Sequence, residues 1–233
     1  MPDQLSLAHQ VIRKGNIISR NKSVIIPNKN ISLSNFTLRR DEARNRIALT
    51  FDGDGNDHGT ALILNVLMKY EIHSTFFLTG KWVETYPDLA QRIVFEGHEM
   101  GNHTYTHPDL TTLKDEEIMQ EITLGERAIR RIVGEGKRIL FRQPYGHGNE
   151  KVLSATKRAG VDYTIQWSLD TLDWKNPPVD FIVNSILDNV KGGDIVLMHL
   201  GGHHTAEALD IVVPVLLKCN IQMVTVSELL FAN

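Results

Sequence analysis

From Arg46 onward, short apolar runs rich in β-branched or aromatic residues alternate with longer segments whose apolar positions recur at helical spacing. The short runs predict strands at Ile47–Phe51, Ser74–Leu78, His98–Gly101, Arg138–Phe141, Asp162–Ile165, Asp194–Met198 and Gln222–Val226. The longer segments predict helices at Thr60–Lys69, Lys81–Phe95, Leu113–Val133, Glu150–Arg158, Val179–Asn189 and Thr205–Lys218. Thr112 with Asp115 reads as a capping box, while Gly134, Gly160 and Gly192 stand where helices should end. Residues 1–45 are irregular and polar, with Asn and Lys scattered through Asn16–Asn35. They are expected to form an N-terminal extension with short strands at Ser23–Ile26 and Ile31–Leu33, leaving 46–233 as the regular domain.

Strands alternating with helices argue for an α/β fold with a parallel sheet. Periodicity does not decide between a closed barrel and an open, doubly wound sheet. Length adds little to this picture: 233 residues suit one domain of the larger kind. With 42% hydrophobic and 23% charged residues, such a chain can bury a core without covalent staples. Cys219 is the one cysteine, so no intrachain disulfide can form. A formal net charge of −3 gives no reason to expect nucleic acid or an anionic membrane as partner. No stretch resembles a signal peptide, no run reaches transmembrane length, and neither type of glycine-rich phosphate loop is present.

The polar residues matter through their position relative to the strands. Asp52 follows the first strand, in Leu49-Thr50-Phe51-Asp52-Gly53-Asp54-Gly55. His103 and His107 follow the third, Arg142 the fourth, Asp170 and Asp173 the fifth, and His199 ends the sixth. The carboxyl ends of parallel strands form the rim where active sites are built, because the strand-to-helix loops converge there. Taken singly, each cluster has a plain structural reading as well. Asp52 can cap a turn or accept a proton; Arg142 can be a surface charge or the partner of an anion such as Asp170. Trp174 can be core or an apolar wall, and His199 a satisfied core histidine or a general acid. His103 and His107, four apart and with Pro108 biasing His107 away from the helical region, suit a loop that offers two imidazoles to one metal.

In order, these clusters resemble the motifs of the polysaccharide deacetylase family, whose catalytic unit is the NodB-homology domain. The family contains chitin, chitooligosaccharide and peptidoglycan deacetylases and acetylxylan esterases. The motifs correspond to Thr50-Phe51-Asp52-Gly53, His103-Thr104-Tyr105-Thr106-His107, Arg142-Gln143-Pro144-Tyr145, Asp170-Thr171-Leu172-Asp173-Trp174 and Leu197-Met198-His199. The resemblance spans about Arg46 to Leu230. It implies a distorted (β/α)7 barrel, a divalent metal (usually Zn²⁺, with Co²⁺ or Ni²⁺ also suited) and an N-acetylated oligo- or polysaccharide as substrate. It also implies that Asp52 is the general base, that His103 and His107 are metal ligands, and that Arg142 orients Asp52 while Asp170 holds Arg142. The Tyr145 amide would help bind the oxyanion, Trp174 and Leu197 would line the acetyl pocket, and His199 would protonate the leaving amine. Polymer substrates favour the cell envelope or exterior.

Two positions depart from the pattern. Gly53 stands where the family carries a second Asp as third metal ligand, and Leu200 where many relatives carry Asp. Flexible glycines on both sides allow Asp54 to take over as third ligand; the other readings are that water or Asp52 completes the site, or that the site is damaged. His203 and His204 add two histidines near the rim and are expected to be solvated. The expected reaction is removal of N-acetyl groups from an N-acetylglucosamine-containing polysaccharide. The alternatives are an O-acetyl esterase on the same fold, or a carbohydrate-binding homologue impaired in hydrolysis.

Overall fold

The strand β2 (Arg46–Gly53) is buried along all but its first residue. A run of Ile-Ala-Leu-Thr-Phe offers no polar face, which is how a central parallel strand reads. In a computed structural model, which describes residues 25–27 and 45–231, β2 pairs in parallel with β3 (Thr75–Leu78) on one side and β7 (Ile195–His199) on the other. The sheet continues from β3 to β4 (Glu99–Asn102) and from β7 to β6 (Leu169–Asp170). Single parallel bridges, Asn102 to Phe141 and Phe141 to Thr164, carry pairing from β4 to β5 (Tyr163–Ile165). β6 follows β5 after three residues, so the chain itself joins this end of the ladder to β6 and β7. The result is a distorted (β/α)7 barrel, the closed alternative. β8 (Gln222–Met223) pairs with the first residues of β2, and β1 (Ile25–Pro27) lies antiparallel to β5.

Helices α1 (Thr60–Lys69), α5 (Glu150–Arg158) and α7 (Thr205–Lys218) have their expected bounds. The expected helix Lys81–Phe95 is two: α2 (Gly80–Thr85) and α3 (Pro87–Phe95). Pro87 has no amide hydrogen to continue α2, so it starts a new helix at its first turn. α4 (Asp115–Val133) is capped two residues later than expected: the Lys114 amide donates to the Glu117 carboxylate at 2.7 Å, replacing the expected box at Thr112 and Asp115. α6 spans Val179–Leu187, and the left-handed glycine after it is Gly193, not Gly192. The expected strand Arg138–Phe141 contracts to the bridging residue Phe141, and Val226 opens a helix, α8 (Val226–Phe231). The expected strand at Ser23–Ile26 overlaps β1, and that at Ile31–Leu33 lies outside the described residues. No helix among the described residues is long and apolar enough to cross a membrane.

Parallel register brings the rim residues together. Asp52 is the Cα partner of His199 on β7 and of Phe77 on β3. Hydrogen bonding runs past the strand ends: His103 N–H donates to Leu78 O at 3.0 Å, Arg142 N–H to Asn102 O at 2.9 Å and Leu200 N–H to Asp52 O at 3.0 Å. The rim is therefore an extension of the sheet rather than free loop.

Candidate active site

Arg142 leaves the Phe141 bridge into the barrel and is completely buried. A buried guanidinium needs an anion, because an isolated charge in the interior costs far more than a fold can supply. Its Nη1 donates to Asp52 Oδ1 at 2.6 Å and to Thr50 Oγ1 at 3.0 Å, and its Nε to Ile165 O at 3.3 Å. The guanidinium carbon lies 4.0 Å from the centre of the Phe77 ring, which fixes its plane. Burial acts to raise the Asp52 pKa, but Arg142, then His103 and His199, outweigh it and hold the carboxyl below its ordinary value. Asp52 is thus an ionised carboxylate with Oδ1 committed to Arg142. Its Oδ2 stands 3.5 Å from His103 Nε2.

Asp170 does not hold Arg142, which corrects the expectation for that pair. Its Oδ1 accepts the Leu172 amide at 2.9 Å, closing a turn in which Leu172 takes a left-handed φ of 56°. Burial raises its pKa. The turn reverses the chain so that Asp173, three residues on, points back into the barrel. Asp173 is fully buried; its Oδ1 faces His199 Nδ1 at 2.8 Å. Its Oδ2 accepts the His199 amide at 2.8 Å and the Thr205 hydroxyl at 2.6 Å. Burial acts to lower the His199 pKa, yet the hydrogen bond and charge of Asp173, with Asp52 and Asp170 behind it, raise it above the usual value. Asp173 is a site residue that the sequence reading did not single out. Its only signal was a second carboxylate in the motif, with nothing to say which one turned inward.

His103 and His107 sit on a tight loop, not a helix. Thr104 and His107 are left-handed, with φ of 70° and 65°, so His107 avoids the helical region by that route rather than by extension. Glu121 of α4 clamps the loop, accepting the Tyr105 amide at 3.0 Å and the Thr106 amide at 2.8 Å. His103 Nδ1 faces the Arg142 carbonyl at 2.8 Å; a carbonyl only accepts, so Nδ1 carries the proton. Burial pushes the His103 pKa down to about 4, so the ring is neutral and Nε2 is a bare lone pair near neutral pH. His107 Nε2 lies 3.1 Å from it. Convergence of two imidazole nitrogens suits a borderline divalent cation, and His103 and His107 are the residues that could hold one.

Among the described residues, no group of three or more His, Cys, Asp or Glu is arranged to hold a metal. Asp54, the expected third ligand, does not join His103 and His107 in such a group. Asp54 Oδ2 stands 3.4 Å from His107 Nδ1, the far side of the ring from the converging Nε2 atoms. A Cβ built on Gly53 would lie 2.7 Å from Leu78 Cδ2 and 2.8 Å from Leu200 Cδ1, so the two unusual positions, 53 and 200, touch.

The other expected residues surround this core. Tyr145, left-handed at φ 60°, is 57% exposed, and its ring packs edge-on to His107 at 4.7 Å between centroids. Trp174 is half-exposed, with Lys175 Nζ 4.8 Å from its ring centre. Leu197 is buried at 3% exposure and pairs in register with Thr50 and Asp170. His203 is exposed and lies edge-on to His58 at 6.0 Å, outside this cluster.

A family model described as polysaccharide deacetylase matches residues 39–164. The chain is 39% identical to a peptidoglycan-N-acetylglucosamine deacetylase of Bacillus cereus over 188 residues, 79% of this chain and 87% of the relative. It is 40% identical over 155 residues to a chitooligosaccharide deacetylase of Bradyrhizobium, covering 66% of this chain and 70% of that protein. A crystal structure of a CE4 family pseudoenzyme from Bacillus anthracis is 32% identical, with a TM-score of 0.74, over 80% of this chain and 66% of that one.

Proposed function

This chain belongs to the polysaccharide deacetylase family, and we propose that it hydrolyses N-acetyl groups from an N-acetylglucosamine-containing polysaccharide, chitin-like or peptidoglycan. The observation that carries this reading is the opposition of two charge-paired groups across strands in register. Asp52 is held ionised by Arg142, while Asp173 raises the pKa of His199, its partner in register, above the usual imidazole value.

That arrangement separates a base from an acid. Asp52 accepts a proton from the water that attacks the acetyl carbonyl, through the oxygen Arg142 leaves free. A divalent cation held by His103 and His107, Zn²⁺ being the first candidate and Co²⁺ or Ni²⁺ also suited, supplies Lewis-acid polarisation of the carbonyl and the water when bound. The Tyr145 amide, turned by its left-handed backbone, donates to the oxyanion that develops. His199 as imidazolium gives its Nε2 proton to the departing nitrogen. The carbon–nitrogen bond breaks, and acetate and a free amine leave. Trp174 and Tyr145 offer half-exposed rings on which a sugar can lie, and Leu197 backs the acetyl methyl.

A second reading, a sugar-binding homologue that no longer hydrolyses, has one observation in its favour. Among the described residues two ligand-type side chains converge and no third joins them, as a catalytically silent relative of the pseudoenzyme type would allow. Acetate release from N-acetylchitooligosaccharides and from peptidoglycan fragments, assayed with added Zn²⁺, decides between them. Acetate that disappears in Asp52→Asn supports the deacetylase. Sugar binding with no acetate from the wild type supports the second reading.

A further inference from the structure

The proton positions on His107 decide whether two histidines suffice to hold a cation. His103 Nε2 is a bare lone pair, because its Nδ1 proton is committed to the Arg142 carbonyl. His107 Nε2, 3.1 Å away, therefore has two options. If it carries the ring's proton, it donates to His103, and the pair is satisfied without a cation. If the proton is on Nδ1 instead, two lone pairs face each other at van der Waals range, and only a cation between them relieves the repulsion. What lies beside Nδ1 selects the option. There stands a carboxylate: Asp54 Oδ2, at 3.4 Å, is too far for a strong hydrogen bond and well placed to attract an N–H and repel a lone pair.

Resting on the metal-dependent reading above, we infer that Asp54 is the positioning carboxylate of His107, holding the proton on Nδ1 and so presenting Nε2 to a cation, and is not itself a ligand. Carboxylates in this outer place orient a ligating imidazole and raise its basicity. The neighbouring glycine explains why the carboxylate is at 54. Leu78 and Leu200 are fully buried, and their methyl groups occupy the space a side chain at 53 would enter. The loop places its carboxylate one residue later, where the side chain is half-exposed and reaches the outer edge of His107.

The test is Co²⁺ binding to the full chain, titrated against a competing chelator and followed by visible absorption, in wild type, Asp54→Ala and Asp54→Asn. Outer positioning predicts roughly 10- to 100-fold weaker Co²⁺ binding in Asp54→Ala. The saturated spectrum should be unchanged, since the atoms on the cation are the same. Asp54→Asn, whose amide oxygen still presents a negative dipole beside Nδ1, should recover part of the loss. A ligand role would instead change band position and intensity in both variants, and that overturns the inference. Equal affinity of wild type and Asp54→Ala also overturns it. A wild type that takes up no Co²⁺ overturns it too, and acetate release in the same samples then shows whether the deacetylase reading falls with it. Asp54 lies in a half-exposed loop, and matching thermal unfolding of the variants checks that each is folded.

Discussion

Asp52 and His199 are partners in register, yet their pKa values are pushed in opposite directions, Asp52 down and His199 up, because each has a buried counter-charge of its own. Removing either reacting group should lower turnover by roughly 10²- to 10⁴-fold, the usual worth of a positioned acid or base. Acetate-release rates for Asp52→Asn and His199→Ala check this; near wild-type rates in either would remove that residue from the reaction. Asp173 makes a different prediction, since it acts through His199. The imidazolium is the working form of His199, so activity falls as pH rises through its pKa. That pKa is raised, chiefly by Asp173 against the pull of burial. Asp173→Asn removes the anion, so the alkaline limb of the kcat/KM profile should move to lower pH. A limb that stays in place while the rate falls would make Asp173 a purely structural residue. Of this site the sequence reveals the residue types and their order. It does not reveal which of Asp170 and Asp173 faces inward, because that depends on the left-handed turn at Leu172, a conformation no side chain of leucine announces.

Helix α4 is the element that holds the histidine loop, and one residue lets it come close enough. A Cβ on Gly125 would meet Asn102 Oδ1 and would lie 2.6 Å from the Thr104 carbonyl oxygen. Asn102 also donates to Ile122 O at 2.9 Å and accepts from the Thr104 amide at 2.9 Å, so these atoms are tied in both directions. Gly125→Ala gains up to about 1 kcal/mol of helix propensity. Against that, the methyl must push a helix off backbone that cannot rotate away, an overpacking cost of about 1–3 kcal/mol. The net expectation is a less stable protein with weaker metal binding, measured by urea unfolding and Co²⁺ titration; a more stable variant would show that the loop yields. Elements of this kind were largely legible. Thr60–Lys69, Glu150–Arg158 and Thr205–Lys218 are found with the bounds that apolar spacing predicts. The exceptions have local causes, the break before Pro87 and the contraction of Arg138–Phe141 to one bridging residue. The fourth strand of the barrel is so short that its place in the ring follows from what flanks it, Asn102 and Thr164, and not from its own pattern.

At the scale of the whole molecule the two ends of the barrel respond to acid differently. The rim carries the buried charge pairs Arg142–Asp52 and His199–Asp173, while His98, one residue before β4, is a neutral histidine buried at the other end. Its Nδ1 accepts the Ser74 amide at 3.3 Å, its ring lies 5.2 Å from that of Phe76, and its side chain is 1% exposed. Glu96 Oε2 is 3.8 Å from Nε2, beyond hydrogen bonding, and burial prevails, lowering the His98 pKa to about 4. An unfolded chain binds this proton near pH 6.5. Between those values the unfolded state is protonated at His98 and the folded state is not, so stability is lost as pH falls from about 6.5 toward 4 and is complete above that window. A displacement of this size corresponds to about 3 kcal/mol, a large part of the ordinary 5–15 kcal/mol of a folded domain. Asp52 adds no loss in the same window, because its lowered pKa confines its contribution to pH values below the usual carboxylate range. His103, also depressed to about 4, does titrate there, so wild type should lose more than His98 alone accounts for. Urea unfolding of the metal-stripped protein at pH 7 and pH 4.5 separates the two. His98→Gln should lower stability at pH 7, where the buried ring is lost, yet fall less steeply toward pH 4.5 than wild type. An unchanged fall in the variant would mean that His98 takes up its proton as readily in the folded protein as in the unfolded chain, and that the acid loss originates at the rim, where His103 titrates.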